Sequence, residues 1–183
     1  VWAADCGDPY MGFKMDRFNK PFYFKYVEKY FCRRADYITV PVEEAKKAYY
    51  SEFKNKIEVI PQGFKFDEVD IDRSTTPENT VPVFGYAGNL LGGGRNPYQL
   101  LEYLIEYDKP FKFIIYTRKP GPVESYIRQA NGKIEIRDYI PRKKLLKELS
   151  GMDFLVNLEN DTSRQVPSKL IDYYLTGRPI LSV

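Results

Sequence analysis

Histidine is missing from this sequence altogether, and its 183 residues include only two cysteines, three methionines and one tryptophan. Without histidine there can be no Ser-His-Asp or Cys-His nucleophile and no His-ligated metal, which removes most hydrolase chemistry. Cys6 and Cys32 are too few and too far apart for a disulfide framework and read as buried thiols. No apolar run approaches the roughly 20 residues that a membrane-spanning helix needs. A strong excess of one charge is lacking too, since a net charge of +3 is too mild to imply nucleic acid. Aromatic residues are what the chain has in plenty. Sixteen Tyr and twelve Phe supply large buried areas and rings for stacking. With 43% hydrophobic and 29% charged residues, the composition is that of a globular chain able to bury a core. The sequence opens at Val1 and stops at Val183 just after an apolar segment, so a piece of a longer protein is expected.

Apolar runs bounded by turn residues alternate with helical patterns, which predicts an α/β fold with Rossmann-like parallel sheets. Strands are expected at 37–40, 57–60, 83–87, 111–116, 134–136, 154–158 and 180–183. Helices are expected at 22–34, 43–53, 97–107, 123–130, 142–149 and 168–176. Residues 67–80 are acidic and then rich in Ser, Thr and Pro, as in a linker. Two lobes follow: residues 1–66 as the end of an incomplete first domain, and 81–183 as a second, truncated one.

Most informative is the run from Val166 to Pro179. Pro167 and Ser168 suit a helix start, and Gly177 followed by Pro179 suits its end. Exposed amides at such a start favour an anion, and Lys169 adds a positive charge beside them. Asp172 lies three residues after Lys169 and four after Ser168, so the three side chains share one face. A lysine for phosphate and a carboxylate for hydroxyls, one turn apart, could grip a nucleotide-sugar. The same spacing fits a capped helix with an ordinary Lys–Asp surface pair. A second candidate is the glycine-rich turn from Ala87 to Pro97, where close backbone approach and Arg95 suit phosphate oxygens. It is neither a P-loop nor a dinucleotide fingerprint, and it also fits a flexible loop with a solvated arginine.

Val166-Pro167-Ser168-Lys169, then Asp172, Tyr173 and Gly177-Arg178-Pro179-Ile180, resembles the donor-site helix of GT-B glycosyltransferases of the family-4-like, nucleotide-sugar-dependent kind. Four more segments fit in order. Arg34-Ala35-Asp36-Tyr37-Ile38 resembles a helix-to-strand step of the first domain. Lys56-Ile57-Glu58-Val59-Ile60-Pro61-Gln62-Gly63 resembles the strand entering the interdomain linker. Phe84-Gly85-Tyr86-Ala87-Gly88-Asn89 resembles the strand and glycine loop that open the second domain, and Asp138-Tyr139-Ile140-Pro141 the loop that faces the nucleobase.

The resemblance implies sugar transfer from a nucleotide-sugar to a glycan or lipid-linked acceptor in cell-surface polysaccharide synthesis. It makes Gly88, Asn89, Arg95, Tyr139, Ile140, Ser168, Lys169 and Asp172 the donor-binding set. Thr117 and Arg118, after another strand, are candidates for the same crevice. Asp8, in the polar aromatic loop from Trp2 to Tyr10, is a candidate cleft residue, although Asp-Pro also starts turns. No metal and no cofactor are expected, and no nucleic acid. A cytoplasmic location is implied, with peripheral attachment at the inner membrane face also open. Two departures stand out. Asp138 occupies a place where the pattern has glycine. Arg164 falls near the place of a sugar-contacting glutamate and cannot accept hydrogen bonds from hydroxyls. The catalytic residues are therefore unassigned, and a non-catalytic nucleotide-sugar-binding or scaffold domain is the alternative.

Segment 12–34 interleaves seven basic residues with eight aromatic ones, a combination that suits anionic lipid headgroups or single-stranded nucleic acid. Tyr23, Val27, Tyr30 and Phe31 have helical spacing, however, which predicts a core-facing stripe with a solvated basic side.

Overall fold

The computed structural model describes residues 1–7, 11, 20–61, 63, 71, 73, 76–90, 97–159 and 169–183. Among these, residues up to 63 form one compact unit and residues from 71 onward a second. Most of the linker expected at 67–80 lies outside the described residues, as do Asp8, Arg95, Arg164 and Ser168.

The first unit holds three parallel strands in the order β1 (Ala3–Asp5), β2 (Tyr37–Val40) and β3 (Ile57–Val59). Alternation in β2 sends Ile38 and Val40 into a core with Ala4, Cys32, Ala45, Phe53 and Ile57. Helix α1 (Phe24–Arg34) covers this sheet, and its last carbonyls are tied by Lys56, whose Nζ donates to Arg33 O at 3.1 Å and Ala35 O at 2.9 Å. Strand β1 was not expected, because Ala-Ala-Asp carries no alternating pattern.

Two expectations fail in this unit. The helix over 43–53 is instead a single α-turn, α2 (Glu43–Lys46), followed by a 3-10 segment at Ser51–Lys56. Between them Tyr50 is extended (φ −63°, ψ 138°), which carries its hydroxyl to Glu28 Oε2 at 3.0 Å. A tertiary contact has overridden helix propensity. In α1 the stripe of Tyr23, Val27 and Tyr30 faces solvent rather than the core. The sheet is met by Phe31 and Cys32 instead, because the small Cys32 lets the helix approach closely; it is 0% exposed.

The second unit is a five-stranded parallel sheet: β4 (Val83–Ala87), β5 (Lys112–Tyr116), β6 (Ile134–Arg137), β7 (Phe154–Asn157) and β8 (Ile180–Ser182), in the spatial order β6-β5-β4-β7-β8. Helices α3 (Tyr98–Glu106) and α4 (Glu124–Gln129) pack on one face through Leu101, Leu104 and Ile127. Helices α5 (Arg142–Ser150) and α6 (Lys169–Thr176) pack on the other through Leu145, Leu149 and Tyr173. Phe84 on the central strand stacks on Phe113 at 4.8 Å and on Phe154 at 4.6 Å, joining β5, β4 and β7 by their rings. Strand order runs outward from β4 in both directions, so the sequence reverses direction between β4 and β7. In open sheets of this kind the crevice for ligands lies at that reversal, beyond the carboxyl ends of the strands.

Candidate functional site

Pairing between β4 and β7 reaches only Phe84↔Phe154 and Gly85↔Leu155. Past that point the hydroxyl of Tyr173, from α6, accepts the Ala87 N–H at 2.8 Å. The other strand neighbour holds on one residue longer, with Gly88 N–H donating to Tyr116 O at 2.9 Å. Gly88 takes φ +150°, and a Cβ there would meet the Tyr86 hydroxyl at 3.0 Å, so glycine is required on both counts. Tyr86 donates to Asn89 O at 3.0 Å, which turns the chain away from the sheet.

The splayed strand ends leave a cleft of 360 Å³ lined by Ala87, Gly88, Asn89, Tyr116, Thr117, Arg118, Tyr139, Ile140, Leu145, Leu149, Lys169, Asp172 and Tyr173. Six residues singled out in the sequence for donor binding, Gly88, Asn89, Tyr139, Ile140, Lys169 and Asp172, thus line one cavity, and Thr117 and Arg118 join them. The remaining candidates, Arg95, Ser168 and Asp8, lie outside the described residues.

The walls differ in chemistry. Lys169 and Asp172 both lie in the first turn of α6. The Lys169 ammonium sits 4.2 Å from the centre of the Tyr86 ring, which attracts the cation without neutralising it. Asp172 takes a partner that sequence spacing did not suggest: Arg142 donates from Nε at 2.9 Å and from Nη2 at 2.7 Å, both to Oδ1. Both bonds converge on one carboxylate oxygen and fix the plane of the group. Arg142 is the first residue of α5 and lies 30 positions from Asp172, so only the packing of α5 on α6 brings them together. Opposite, the Arg118 guanidinium stacks over Tyr139 at 4.0 Å, and that ring is 57% exposed. The floor is apolar, with Leu145, Leu149 and the buried side of Tyr116. Burial pushes the Tyr116 phenol up, against the pull of Arg137, which donates to its hydroxyl at 3.0 Å. That hydroxyl stays protonated at neutral pH and hydrogen-bonds Glu148 Oε2 at 3.3 Å. Among the described residues no cluster of carboxylates or thiols could hold a metal ion.

No protein-family profile matches the sequence, and no curated protein does. Solved structures do. The pneumococcal O-GlcNAc transferase GtfA, crystallised with UDP and GlcNAc, superposes with a TM-score of 0.66 over 98% of this chain and 37% of its own, at 18% identity. A glycosyltransferase from Rickettsia africae gives 0.65 over 90% of this chain and 48% of its own, at 17% identity. Anabaena HepE in complex with UDP-glucose gives 0.63 over 86% of this chain and 47% of its own, at 13% identity. The chain spans less than half the length of these proteins, and its fold is the GT-B fold of glycosyltransferases.

Proposed function

On that fold, we propose that the chain carries the nucleotide-sugar site of a glycosyltransferase that delivers a sugar to a glycan or lipid-linked acceptor in cell-surface glycan synthesis. The observation that carries this reading is the joining of Gly88, Lys169 and Asp172 in one cleft at the strand-order reversal. An acceptor hydroxyl would attack the anomeric carbon while the nucleoside diphosphate leaves. Lys169 and the amides at the start of α6 would stabilise the charge growing on that diphosphate, a task they can perform without a divalent ion. Asp172, its plane set by Arg142, would accept from ribose hydroxyls through Oδ2. The Arg118–Tyr139 stack would border the base. HepE and GtfA are solved with uridine nucleotides, so these are the first ligands to test.

Titration with uridine, guanosine and cytidine diphosphates, with and without a chelator, tests the reading. Binding that survives chelation is expected. Binding abolished by chelator would overturn metal independence, and no binding at millimolar ligand would overturn the site. A non-catalytic nucleotide-sugar-binding role is the second reading, favoured by Arg164 in the place of a sugar-contacting acid. Sugar transfer by the whole protein would dismiss it.

A further inference from the structure

The outer face of α1 is left unused by sugar transfer. Phe22, Tyr23, Tyr26, Val27 and Tyr30 are between 51% and 79% exposed. Tyr23 already has helical backbone angles (φ −79°, ψ −16°), so the geometry of the helix extends to it. At about 100° per residue, positions 22, 26 and 30 form one stripe and 23 and 27 lie beside it. This arc points away from Phe31 and Cys32, which meet the sheet. Isolated exposed apolar residues are ordinary, whereas five contiguous ones on a single helix face are a surface built for contact.

The charges on α1 identify the partner. Lys25, Arg33 and Arg34 are exposed, and Lys29 is paired with Glu52 at 2.7 Å. The one acid of the helix, Glu28, is turned inward and accepts from the Tyr50 hydroxyl at 3.0 Å. Two cations rest on exposed rings, Lys25 at 4.9 Å from the Tyr26 centroid and Arg34 at 5.3 Å from that of Tyr30. Cation and ring therefore project together, without an acid on the arc to neutralise them. Three of the five large groups are tyrosines, whose apolar body and wet tip suit the boundary between headgroup and acyl chain better than a dry protein interface. The helix has 11 residues, and no described helix is long and apolar enough to cross a bilayer. Such a helix can only lie in the surface plane.

We propose that α1 is a docking face for an anionic lipid bilayer, with its rings at headgroup depth and Lys25, Arg33 and Arg34 against lipid phosphates. The proposal does not depend on the donor site, because no residue of the cleft belongs to α1.

Flotation of the 183-residue chain with phosphatidylcholine vesicles, with and without phosphatidylglycerol, tests it in the absence of nucleotide. Binding is expected only with the anionic lipid, and it should weaken as salt rises from about 0.1 to about 0.5 M. Reversing Lys25→Glu, Arg33→Glu and Arg34→Glu together should lower affinity by on the order of a hundredfold, from about fivefold per basic residue near an anionic surface. The triple change Tyr23→Ser, Tyr26→Ser and Tyr30→Ser should lower it at constant charge. All six side chains are exposed, so thermal unfolding of both variants should match the parent. Failure of the parent to float with anionic vesicles would overturn the proposal. Unchanged affinity in either folded variant, or a preference for single-stranded RNA over vesicles, would do the same.

Discussion

Tyr173 holds Ala87 by both of its backbone groups: its hydroxyl accepts from Ala87 N–H at 2.8 Å and lies 3.5 Å from Ala87 O. One side chain from α6 thus takes the place that a further residue of β7 would occupy if pairing continued past Gly85. The sheet opens there without leaving a buried amide unpaired. The same residue is 1% exposed, so its ring also seals the floor of the cleft.

Tyr173→Phe removes only the hydroxyl. The buried Ala87 N–H then lacks its partner, at a cost on the order of 1–3 kcal/mol. Urea unfolding should show a lower midpoint with an unchanged slope. An unchanged midpoint would mean that another acceptor reaches Ala87.

Gly88→Ala places a Cβ on a residue at φ +150° and 3.0 Å from the Tyr86 hydroxyl. Strain on the order of 1–3 kcal/mol is expected. Part of it should relax by shifting the turn into the cleft, so both thermal stability and diphosphate affinity should fall. A variant with parental stability and affinity would show that the turn tolerates a side chain.

Lys169→Ala and Asp172→Asn should separate cleanly in binding isotherms. The first weakens diphosphate binding and flattens its salt dependence, because a screened charge–charge attraction is lost. The second spares the diphosphate but reduces discrimination between ribose and deoxyribose ligands, since an amide offers one acceptor group where a carboxylate offers two. Each loss should be about 1.5–3 kcal/mol, as for hydrogen bonds to charged groups. Arg142→Ala should reproduce the Asp172 phenotype, and the double variant should lose less than the two single losses added together. Parental affinity in all three variants would place the nucleotide elsewhere.

Acid stability should respond to Glu135. Hydrogen bonds from Arg137 and Lys112 hold its carboxyl down, from 4.5 to about 2. The unfolded chain takes up the proton near pH 4.5 while the folded chain resists it. The contribution of Glu135 is therefore complete above that pH and is lost as the pH falls toward 2. Both partners are about a third exposed, with Arg137 at 33% and Glu135 at 36%, so solvent screens much of the effect. Glu135→Gln should shallow the fall in unfolding midpoint across that window. An identical acid profile would show the pair to be energetically silent.

Strands β4, β5, β6 and β7 were legible because apolar, aromatic and β-branched residues cluster between turn signals, and a buried parallel strand needs little else. The Ala-Ala-Asp of β1 offers none of that and is recruited by pairing with β2. In α1, aromatic residues occupy so much of the circumference that periodicity could not tell the inner side from the outer. The size of Cys32 and the contact between Glu28 and Tyr50 decide it. Lys169, Asp172 and Gly88 could be read from helix spacing and turn chemistry, which are local. Arg142 could not, since a pair 30 residues apart leaves no periodic trace.

The order of the strands has a consequence for how such a site can change over generations. The mouth of the cleft exists because successive connections depart to opposite faces of the sheet, and no side chain has to hold it open. Arg118 and Tyr139 on its rim are exposed and contribute little to the core beneath. Selection can therefore exchange rim residues, and with them ligand preference, while Phe84 and its stacked neighbours keep the scaffold unaltered.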